Sequence, residues 1–519
     1  MDTKALRQKI LDLAIRGKLV PQDPNDEPAS VLLERIRAEK QQMVKDGKLK
    51  PKDIKNDTVI FKGDDNLHYE KFSDGTVKCI EDEIPFDVPD NWEWVRIKTA
   101  CVINPRNSID DNTEVSFVPM ANIKEGYANK FISDIRVWKK VKKGYTHFAD
   151  NDIGIAKITP CFENKKSVVF SGLINGYGAG TTELYIVRTI PSLVIPEYLL
   201  NFVKRDDFIA GGVLTFSGDV GQQRVTKDYV ANYLFTLPPL NEQQRILNAV
   251  HNANSLIESI EKSKDNLISD IDKTKSKILD LAIRGKLVPQ DPNDEPASVL
   301  LERIRAEKEK LIKQRKIKRD KKESVIFKGD DNSYYEKIGD KVTCIDGEIP
   351  FEVPDNWQLC RFYTIYNLIS GRDLKVTEYN DKRNGVPYIT GASNFSTNGI
   401  SLIRWTHVPQ VTTELGDILL TCKGTIGEIA INSFGTAHIA RQIMAIRSNY
   451  SLNANYMSLC IRYYVDDLRK RAKGLIPGIS RDDVLNLILP LPPLLEQNRI
   501  VDVINRIFNI GIEIEKSLS

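Results

Sequence analysis

The sequence lacks the long apolar segment and the leader that mark membrane and secreted proteins. Its 519 residues contain no uninterrupted apolar run of about eighteen or more, the length that a membrane-spanning helix requires. The N-terminal stretch MDTKALRQKILDLAIRGK carries charges throughout and has neither the apolar centre nor the cleavage site of a secretory signal. These absences predict a cytoplasmic protein that makes no contact with a membrane.

Residue combinations that carry common chemistries are also missing. The seven cysteines include no C-x-x-C pair, and the five histidines show no metal spacing, so we expect reduced thiols and no metal site. Neither the phosphate-binding loop G-x-x-x-x-G-K-[ST] nor the nucleophile elbow G-x-S-x-G occurs. The net charge of +3 is nearly neutral and by itself says little about nucleic acid. The sequence therefore favours a protein that recognises something over one that catalyses, with no catalytic residues and no cofactor of its own.

One passage occurs twice without a change. The 32 residues from Lys9 to Lys40, KILDLAIRGKLVPQDPNDEPASVLLERIRAEK, return from Lys277 to Lys308. Shorter repeats follow in the same order: VIFKGDDN at 59–66 and 325–332, EIPF(D/E)VPDNW at 83–92 and 348–357, and LPPL(N/L)EQ(Q/N)RI at 237–246 and 491–500. The chain therefore consists of two copies of one plan.

The segments between the repeated flanks, 92–237 and 357–491, hardly resemble each other. We call them the first and second middle segments. Faint landmarks, such as NDIGIAKITPCFENKKSVVF from Asn151 and GDILLTCKGTIGEIAI from Gly416, predict one mixed, strand-rich fold that carries two different surfaces. Such a chain could dock twice on the same kind of partner and recognise two different targets. Neutral drift after a duplication is the alternative.

Apolar residues step by four and three through the centre of the chain. They are Ile246, Val250, Ala253, Ile257, Ile260, Leu267, Ile271, Ile278 and Leu281, with the polar residues Lys264 and Thr274 at the two remaining seam positions. This heptad spacing predicts a continuous helix of about 40 residues, roughly 60 Å long, that ends at Gly285. The C-terminal segment begins the same pattern at Ile500, Ile504 and Ile507.

The two ends of the chain complement each other. The C-terminal segment corresponds to the start of the central helix, and the N-terminal segment corresponds to its end, with Leu6 and Ile10 at the positions of Thr274 and Ile278. We therefore predict an antiparallel coiled coil in which the central helix packs against a composite of the C- and N-terminal helices, with an internal pseudo-two-fold repeat. The alternative is that each helix packs only on its neighbouring domain.

Both middle segments contain polar stretches whose side chains can hydrogen bond to base edges and phosphates. The candidates in the first are Lys139, Lys140, Lys142, Lys143, Lys165, Lys166, Gln222, Gln223 and Arg224. The candidates in the second are Lys423, Thr425, Arg441, Gln442, Lys473 and Arg481. Arg and Lys pair with guanine, Gln pairs with adenine, and Lys and Thr also position phosphates. For any one of these residues an ordinary surface role is the alternative, and the basic run at 308–324 is either a phosphate contact or a linker.

The ordered double set of repeats resembles the specificity subunit of type I restriction-modification systems, over essentially the whole chain. That resemblance implies two target recognition domains, each reading one half of a split DNA site, joined by helices that set the spacing. It also implies partners: double-stranded DNA, two modification (methyltransferase) subunits and, in some assemblies, two restriction (motor-nuclease) subunits in a bacterial or archaeal cytoplasm. S-adenosylmethionine, ATP and Mg²⁺ would then belong to those partner subunits.

The expected fold is α+β, with two strand-rich recognition domains separated by long antiparallel helices. The expected divisions are 1–45 and 238–310 (helical), 46–91 and 311–356 (linkers leading into the recognition domains), 92–237 and 357–491 (recognition domains), and 492–519 (C-terminal helix). Two other classes stay open from the residues alone. They are a self-contained DNA methyltransferase or nuclease with degenerate motifs, and a coiled-coil scaffold whose globules bind proteins.

Overall fold

The computed structural model describes residues 2–219, 222–315, 323–396, 399–448, 450–472 and 477–518. Contacts within the chain divide it into two compact units, Met1–Ser263 (unit 1) and Lys264–Ser519 (unit 2). None of the helices formed by these residues has the length and apolar character needed to span a bilayer. Lys473, a candidate contact residue, lies outside the described residues.

Unit 1 combines short helices with three sheets of three or four strands. Its helices are α1 (Thr3–Ile15), α2 (Ala29–Lys45), α3 (Pro51–Ile54), α4 (Ile97–Ala100), α5 (Trp138–Val141), α6 (Pro196–Val203), α7 (Asp206–Val213) and α8 (Lys227–Asn232). Its strands are β1 (Val59–Lys62), β2 (His68–Lys71), β3 (Val77–Cys79), β4 (Glu93–Arg96), β5 (Cys101–Ile103), β6 (Glu114–Val118), β7 (Asp134–Val137), β8 (Thr146–Ala149), β9 (Asp152–Ala156), β10 (Ser167–Val169), β11 (Tyr177–Gly180), β12 (Leu184–Thr189) and β13 (Leu234–Leu237). The long helix α9 (Leu240–Ile283) begins in unit 1 and ends in unit 2.

Unit 2 contains the remaining elements. Its helices are α10 (Ala297–Lys313), α11 (Phe362–Ile365), α12 (Ala454–Arg471), α13 (Arg481–Leu485) and α14 (Leu494–Leu518). Its strands are β14 (Ser324–Lys328), β15 (Tyr334–Ile338), β16 (Lys341–Cys344), β17 (Gln358–Arg361), β18 (Asn367–Ser370), β19 (Tyr379–Asn380), β20 (Val386–Ile389), β21 (Phe395–Ser396), β22 (Gly399–Ile400), β23 (Arg404–Thr406), β24 (Thr412–Thr413), β25 (Ile418–Thr421), β26 (Ile429–Ile431), β27 (Ala437–Ile439), β28 (Ile443–Arg447) and β29 (Ile488–Leu491).

The two middle segments share one topology despite their different sequences. The first sheet of unit 1 has the order β5-β12-β9-β10 and the first sheet of unit 2 has the order β18-β28-β25-β26, antiparallel throughout in both. The second sheets run β7-β6-β11-β8 and β19-β23-β20-β27-β24, each with one parallel pair, β6 with β11 and β20 with β27. The expectation of one mixed, strand-rich fold in both segments is confirmed.

The first and last strands of each middle segment pair with each other. In unit 1, β4 pairs with β13, so Glu93 lies opposite Leu237. In unit 2, β17 pairs with β29, so Gln358 lies opposite Leu491. The apolar face of each first sheet packs on a helix: Tyr198 and Phe202 of α6 are buried in the core of unit 1, as Tyr456 of α12 is in unit 2.

The regions 46–91 and 311–356, predicted as linkers, contain folded sheets instead. Strands β1, β2 and β3 form one antiparallel sheet, and β14, β15 and β16 form its counterpart in unit 2. Arg96 anchors the first of these sheets to β4 because its guanidinium donates to both oxygens of Glu70 at 3.1 and 2.7 Å. Arg361 holds Glu336 in the same way at 3.1 and 2.8 Å.

The central helix α9 forms as predicted, but the apolar positions of α9 and of the C-terminal helix α14 divide between different surroundings. Ile246 and Val250 lie in the core of unit 1, whereas Ile500 and Ile504 lie in that of unit 2, with Ile278 packed against it. Ile257 and Ile271 are buried, Ile507 is half-buried, and Ile260 and Leu267 are 40% and 42% exposed. Ile260 and Leu267 therefore depart from the predicted seam.

A terminal helix runs antiparallel to part of α9 in each unit. In unit 1, Thr3 Oγ1 donates to Glu261 at 2.7 Å, and Gln22, just beyond α1, donates to Glu242 at the start of α9. In unit 2, Lys275 of α9 pairs with Glu515 near the end of α14, and Gln290 donates to Glu496 at its start. This arrangement agrees with the antiparallel pairing that the complementary ends of the sequence predict.

Gly17 and Gly285 end α1 and α9 with a left-handed residue. Their φ angles are +65° and +66°, and a Cβ added to either would lie 2.4 Å from the Cγ of a proline, Pro89 or Pro354. Glycine is therefore required at both positions by conformation and by space.

Candidate nucleic-acid interface

Loops in unit 1 converge where β9 ends. The amide of Lys157, the residue after β9, donates to the carbonyl of Glu183 at 3.0 Å, and its own carbonyl accepts from the amide of Val225 at 2.9 Å. The amide of Thr159 donates to the carbonyl of Gln223 at 2.9 Å. Strand pairing thus continues beyond the sheet and brings together three loops, 157–159, 181–183 and 222–227. Residues 104–106 line a cavity together with Lys157 and Thr182. We call these four segments edge 1.

Unit 2 builds the same backbone pattern where β25 ends. The amide of Cys422 donates to the carbonyl of Gln442 at 2.7 Å, and its carbonyl accepts from the amide of Ile479 at 3.0 Å. The amide of Gly424 donates to the carbonyl of Pro477 at 2.9 Å. We call this group edge 2; it comprises residues 370–373, 422–425, 440–442 and 477–481. The two edges are equivalent positions of one fold.

The scaffold behind each edge is the same. In unit 1 the buried carboxylate of Asp152, at the start of β9, accepts two bonds from Arg188 at 2.7 Å. In unit 2 Asp417 holds Arg447 in the same way, with a shortest distance of 2.7 Å. Burial raises the pKa of Asp152, and the charge of Arg188 opposes that shift. An equivalent buried ion pair between aspartate and arginine therefore lies at the start of β9 and of β25.

The side chains that the two edges present are different. Edge 1 exposes Arg106 and Lys227 and half-exposes Lys157. Edge 2 exposes Arg372, Lys423, Thr425, Arg441 and Arg481. All but Thr425 are cationic donors suited to phosphates or guanine edges, and Thr425 offers a hydroxyl.

A cavity of about 330 Å³ opens beside edge 1. Arg106, Lys157 and Tyr145 line it, together with His147 and Tyr185. The Lys157 ammonium lies 5.3 Å from the centroid of the Tyr185 ring. Burial lowers the pKa of His147, so this imidazole is neutral at pH 7, and its Nε2 contacts the carbonyl of Lys142 at 3.0 Å. The cavity thus combines cationic donors with aromatic walls.

Of the candidates in the first middle segment, Gln222, Gln223 and Arg224 lie at edge 1. The Arg224 guanidinium is already engaged, because it donates to both oxygens of Glu183 at 2.8 and 2.9 Å. This pairing raises the pKa of Arg224 and lowers that of Glu183. Arg224 can contact an external acceptor only by sharing or leaving Glu183.

The lysines of α5 and of the residues just after it directly precede the segment 144–147, which lines the cavity. Lys139, Lys140 and Lys143 are exposed, and Lys143 directly precedes Gly144, which lines the cavity. Lys142 is paired instead, with its ammonium 2.7 and 2.8 Å from the two oxygens of Asp111.

The structure contradicts the prediction that Lys165 contacts DNA, because the side chain of Lys165 is buried. Its ammonium lies 2.5 Å from Asp206 and 3.1 Å from the hydroxyl of Tyr127. Lys166, the next residue, is half-buried. The structure does not bring either lysine to edge 1.

The described candidates of the second middle segment all lie at edge 2. Arg441 pairs with Asp373 at 2.7 Å, and the Gln442 amide, in the orientation that satisfies its neighbours, donates to Thr390 and Asp373 at 3.1 and 3.2 Å. Arg481 donates to the hydroxyl of Ser370 at 2.8 Å. Asp373 therefore orients both Arg441 and Gln442.

Sequence reasoning missed four basic residues at the edges. They are Arg106, Lys157, Lys227 and Arg372. The available signal was the faint match between the two middle segments, which aligns DIGIAK with DILLTC and so places Lys157 at the position of Cys422, one residue before Lys423. Across the described part of the chain, no group of three or more His, Cys, Asp and Glu residues is placed to hold a metal ion.

The chain is similar to DNA specificity subunits of type I restriction enzymes. Residues 354–519 match the family described as type I restriction modification DNA specificity domain. The chain is 33% identical to the type I restriction enzyme EcoAI specificity subunit of Escherichia coli, with 96% of this chain and 87% of that protein covered. It is 34% identical to the EcoEI specificity subunit of the same species, with 99% and 90% covered.

Solved structures share the fold at lower identity. A chain from a structure on complex assembly and conformational transition of the type I R-M system matches with a TM-score of 0.62 and 19% identity, over 84% of this chain and 94% of that one. The HsdS subunit from Thermoanaerobacter tengcongensis matches with a TM-score of 0.53 and 19% identity, over 84% and 93%.

Proposed function

The chain belongs to the family of type I restriction enzyme specificity subunits, which are DNA-recognition components without a catalytic role, and from this membership we propose how it reads DNA. Edge 1 and edge 2 each contact one half of a bipartite double-stranded site. Unit 1 reads one half-site and unit 2 reads the other.

One observation carries this proposal: two equivalent edges on one scaffold present different side chains. The backbone bonds of Lys157 and Cys422 place the loops alike, while the residues that point outward are not repeated. A pair of readers that must bind two different sequences on the same kind of duplex requires this combination. Arginine and lysine at the edges supply contacts to phosphates and guanine, and Gln222, Gln223 and Gln442 supply contacts to adenine.

The repeated flanks suit partners that are present in two copies. We propose that two methyltransferase subunits dock on them and that two restriction subunits can join. S-adenosylmethionine, ATP and Mg²⁺ would act in those partners. Helix α9, with 44 residues and thus roughly 66 Å of length, would fix the number of unread base pairs between the half-sites.

Selection from randomised duplexes, with the chain bound to its methyltransferase subunits, tests the proposal. We expect two short sequence blocks separated by a fixed gap, and an affinity that falls steeply with salt because bound phosphates release counterions. Recovery of no sequence preference, or of a single uninterrupted block, would overturn it.

A chain with two identical middle segments provides a sharper version. Residues 92–237 are replaced by a second copy of 357–491, which the shared topology and the paired end strands allow. Both blocks of the selected site should then carry the half-site that unit 2 reads in the natural chain. If the block assigned to unit 1 persists unchanged, the reading surface lies outside the middle segments.

A further inference from the structure

The small sheet of each unit presents the same six side chains outward. In unit 1, Phe61 pairs across the strands with Tyr69, and Tyr69 pairs with Cys79. Because alternate residues of a strand share a face, Val59, Lys71 and Val77 point the same way. The corresponding residues in unit 2 are Val325, Phe327, Tyr335, Lys337, Val342 and Cys344. We call each set of six an outer face.

The outer faces are apolar and open to solvent. Phe61 and Phe327 are each 40% exposed, Val77 and Val342 are 49% and 51% exposed, and Cys79 is exposed, as is its counterpart in unit 2. The aromatic pair has one geometry in both units, with ring centroids 5.9 Å apart and planes inclined by 26°. Contiguous apolar side chains left in water on a folded sheet are typical of a binding surface.

The small sheets of the two units differ in sequence only at positions that do not belong to the outer face. Among the strand positions that are paired in both units, His68 is replaced by Tyr334 and Lys78 by Thr343. Both positions alternate with the outward residues and therefore belong to the opposite side of the sheet. Six solvent-facing residues are thus the same in both units while neighbouring positions have changed. This pattern fits a surface that must bind the same partner twice.

Each sheet is fixed to its own unit by the opposite side. Glu70 is buried, bonded to Arg96 and to the hydroxyl of Thr58 at 2.6 Å. Glu336 is held likewise by Arg361. A charged hydrogen-bond network of this kind holds the sheet in one orientation, so the outer face is preformed.

The charge of the outer face indicates the chemistry of its occupant. Lys71 and Lys337 are exposed, and among the described residues neither ammonium lies within 4.0 Å of a carboxylate. The tyrosine hydroxyls are occupied, since each donates to an aspartate, Asp65 or Asp331, at 2.7 Å. A single free cation on an apolar patch is complementary to an apolar patch that carries one carboxylate. Phosphate backbones are bound by several cations at once, which this face does not offer.

We propose that each outer face is a docking surface for one copy of the same protein partner, which contributes an apolar patch with a carboxylate opposite the lysine. The identity of that partner as the methyltransferase subunit rests on the proposed function. The location of the surface does not, because it follows from the repeated face. Docking is therefore assigned to the two small sheets in addition to any contact that the helices make.

Cysteine alkylation in the intact chain tests this directly. Cys79 and Cys344 are exposed and lie within the outer faces, whereas Cys101, Cys360, Cys422 and Cys460 are buried and Cys161 is half-buried elsewhere. A maleimide pulse followed by peptide mass spectrometry measures each thiol, with and without the purified methyltransferase subunit. We expect modification of Cys79 and Cys344 to slow by tenfold or more in the complex and that of Cys161 to stay unchanged. Equal rates in the complex and in the free chain would overturn the proposal.

Charge substitutions supply the second measurement. Phe61→Asp should reduce the number of bound methyltransferase subunits from two to one, Phe327→Asp should do the same, and the double variant should bind none. Leu214→Asp, at an 88% exposed position outside the outer faces, is the matched control and should still bind two. Circular dichroism checks that every variant is folded. Two bound subunits in a folded double variant would exclude the outer faces as docking sites.

The readouts separate this inference from the proposed function, because cysteine protection by the methyltransferase subunit and the number of bound subunits are both measured without duplex DNA. Protected cysteines together with an absence of sequence selection would support the docking surface and contradict the proposal that the edges read DNA. Sequence selection with unprotected cysteines would support the reading of DNA and contradict the docking surface. Protection by a second copy of the chain or by single-stranded DNA, tested as separate additions, would also contradict the assignment.

Discussion

Arg7 and Glu261 form a two-pronged ion pair across 254 residues of unit 1, at 2.7 and 3.0 Å. Lys275 and Glu515 occupy the equivalent positions in unit 2, at 2.7 Å. Arg7 lies in the N-terminal helix and Lys275 lies in the middle of the chain, yet each meets the glutamate that follows the repeated LPPL motif at the same distance along its helix. The N-terminal helix therefore completes unit 1 in the way that the second half of α9 completes unit 2.

Glu261→Gln should loosen α1. The Arg7 guanidinium holds the pKa of Glu261 at about 2, below its usual 4.5. Since this folded-state pKa is depressed, the stabilisation is complete above pH 5 and is lost as the pH falls towards 2. The pair is partly exposed, so we expect a cost of only ~0.5–1 kcal/mol. Faster amide exchange of residues 3–15 at pH 7 measures it, and Glu515→Gln, the equivalent change in unit 2, should leave that exchange unaltered.

Trp357→Phe should destabilise unit 2. The indole Nε1 of Trp357 donates to the buried carboxylate of Glu496 at 3.0 Å, and burial raises the pKa of Glu496. Removing this donor leaves a buried charged oxygen with one bond fewer, at a cost of ~1–3 kcal/mol in urea unfolding. Adding Glu496→Gln should recover part of the loss, because an uncharged amide is less costly to bury. Trp92→Phe should have the same effect in unit 1, where Trp92 bonds Glu242 at 2.9 Å. Wild-type stability in both variants would show that these bonds contribute little.

The stability of unit 1 should increase between about pH 7 and pH 10 because of Lys204. Its ammonium is buried and donates to the carbonyls of Gly126 and Ala128 at 2.6 and 2.9 Å, and burial lowers its pKa from 10.5 to about 7. In that pH window the unfolded chain binds more protons than the folded one, so the free energy of unfolding rises with pH. Lys204→Met should remove this rise in urea titrations at several pH values. Lys40→Met, at another buried lysine, serves as the control that retains it.

Arg441→Ala should weaken the reading of one half-site only. If its guanidinium pairs with a base, we expect a loss of ~1–3 kcal/mol for the natural half-site and relaxed selection at one position. Binding to duplexes with single substitutions in each half-site measures this. Arg106→Ala, at edge 1, should affect the other half-site. An equal loss for every sequence would assign Arg441 to a phosphate.

Ile257→Asp and Ile260→Asp should differ sharply although both residues lie on the predicted seam. Ile257 is 1% exposed, whereas Ile260 is 40% exposed. A buried aspartate should cost several kcal/mol, on the order of 3 or more, and should abolish cooperation between half-sites, while the exposed one should cost less than about 1 kcal/mol. Urea unfolding and half-site binding measure the two effects. Equal losses would mean that both positions are covered when the chain functions.

The repeats and the long helix could be predicted because identical residues recur in the one case, and apolar residues recur at regular spacing in the other, over tens of residues. The sheets of 46–91 and 311–356 could not, since their strands have only three to five residues each and leave too short an alternation to read. Lys165 was misplaced because its burial depends on contacts with Tyr127 and Asp206, which are distant from it in sequence. Arg106 was missed because its approach to edge 1 depends on long-range strand pairing of β5 with β12.

The unchanged stretch from Lys9 to Lys40 and from Lys277 to Lys308 also affects how new specificities can arise. A crossover placed anywhere inside it joins the front of one subunit to the rear of another without altering a single residue of the junction. The half that follows would arrive with its own edge and its own small sheet intact. The duplicated passage would therefore allow a whole unit to be exchanged by a single recombination event, while the surfaces that are the same in both units are retained.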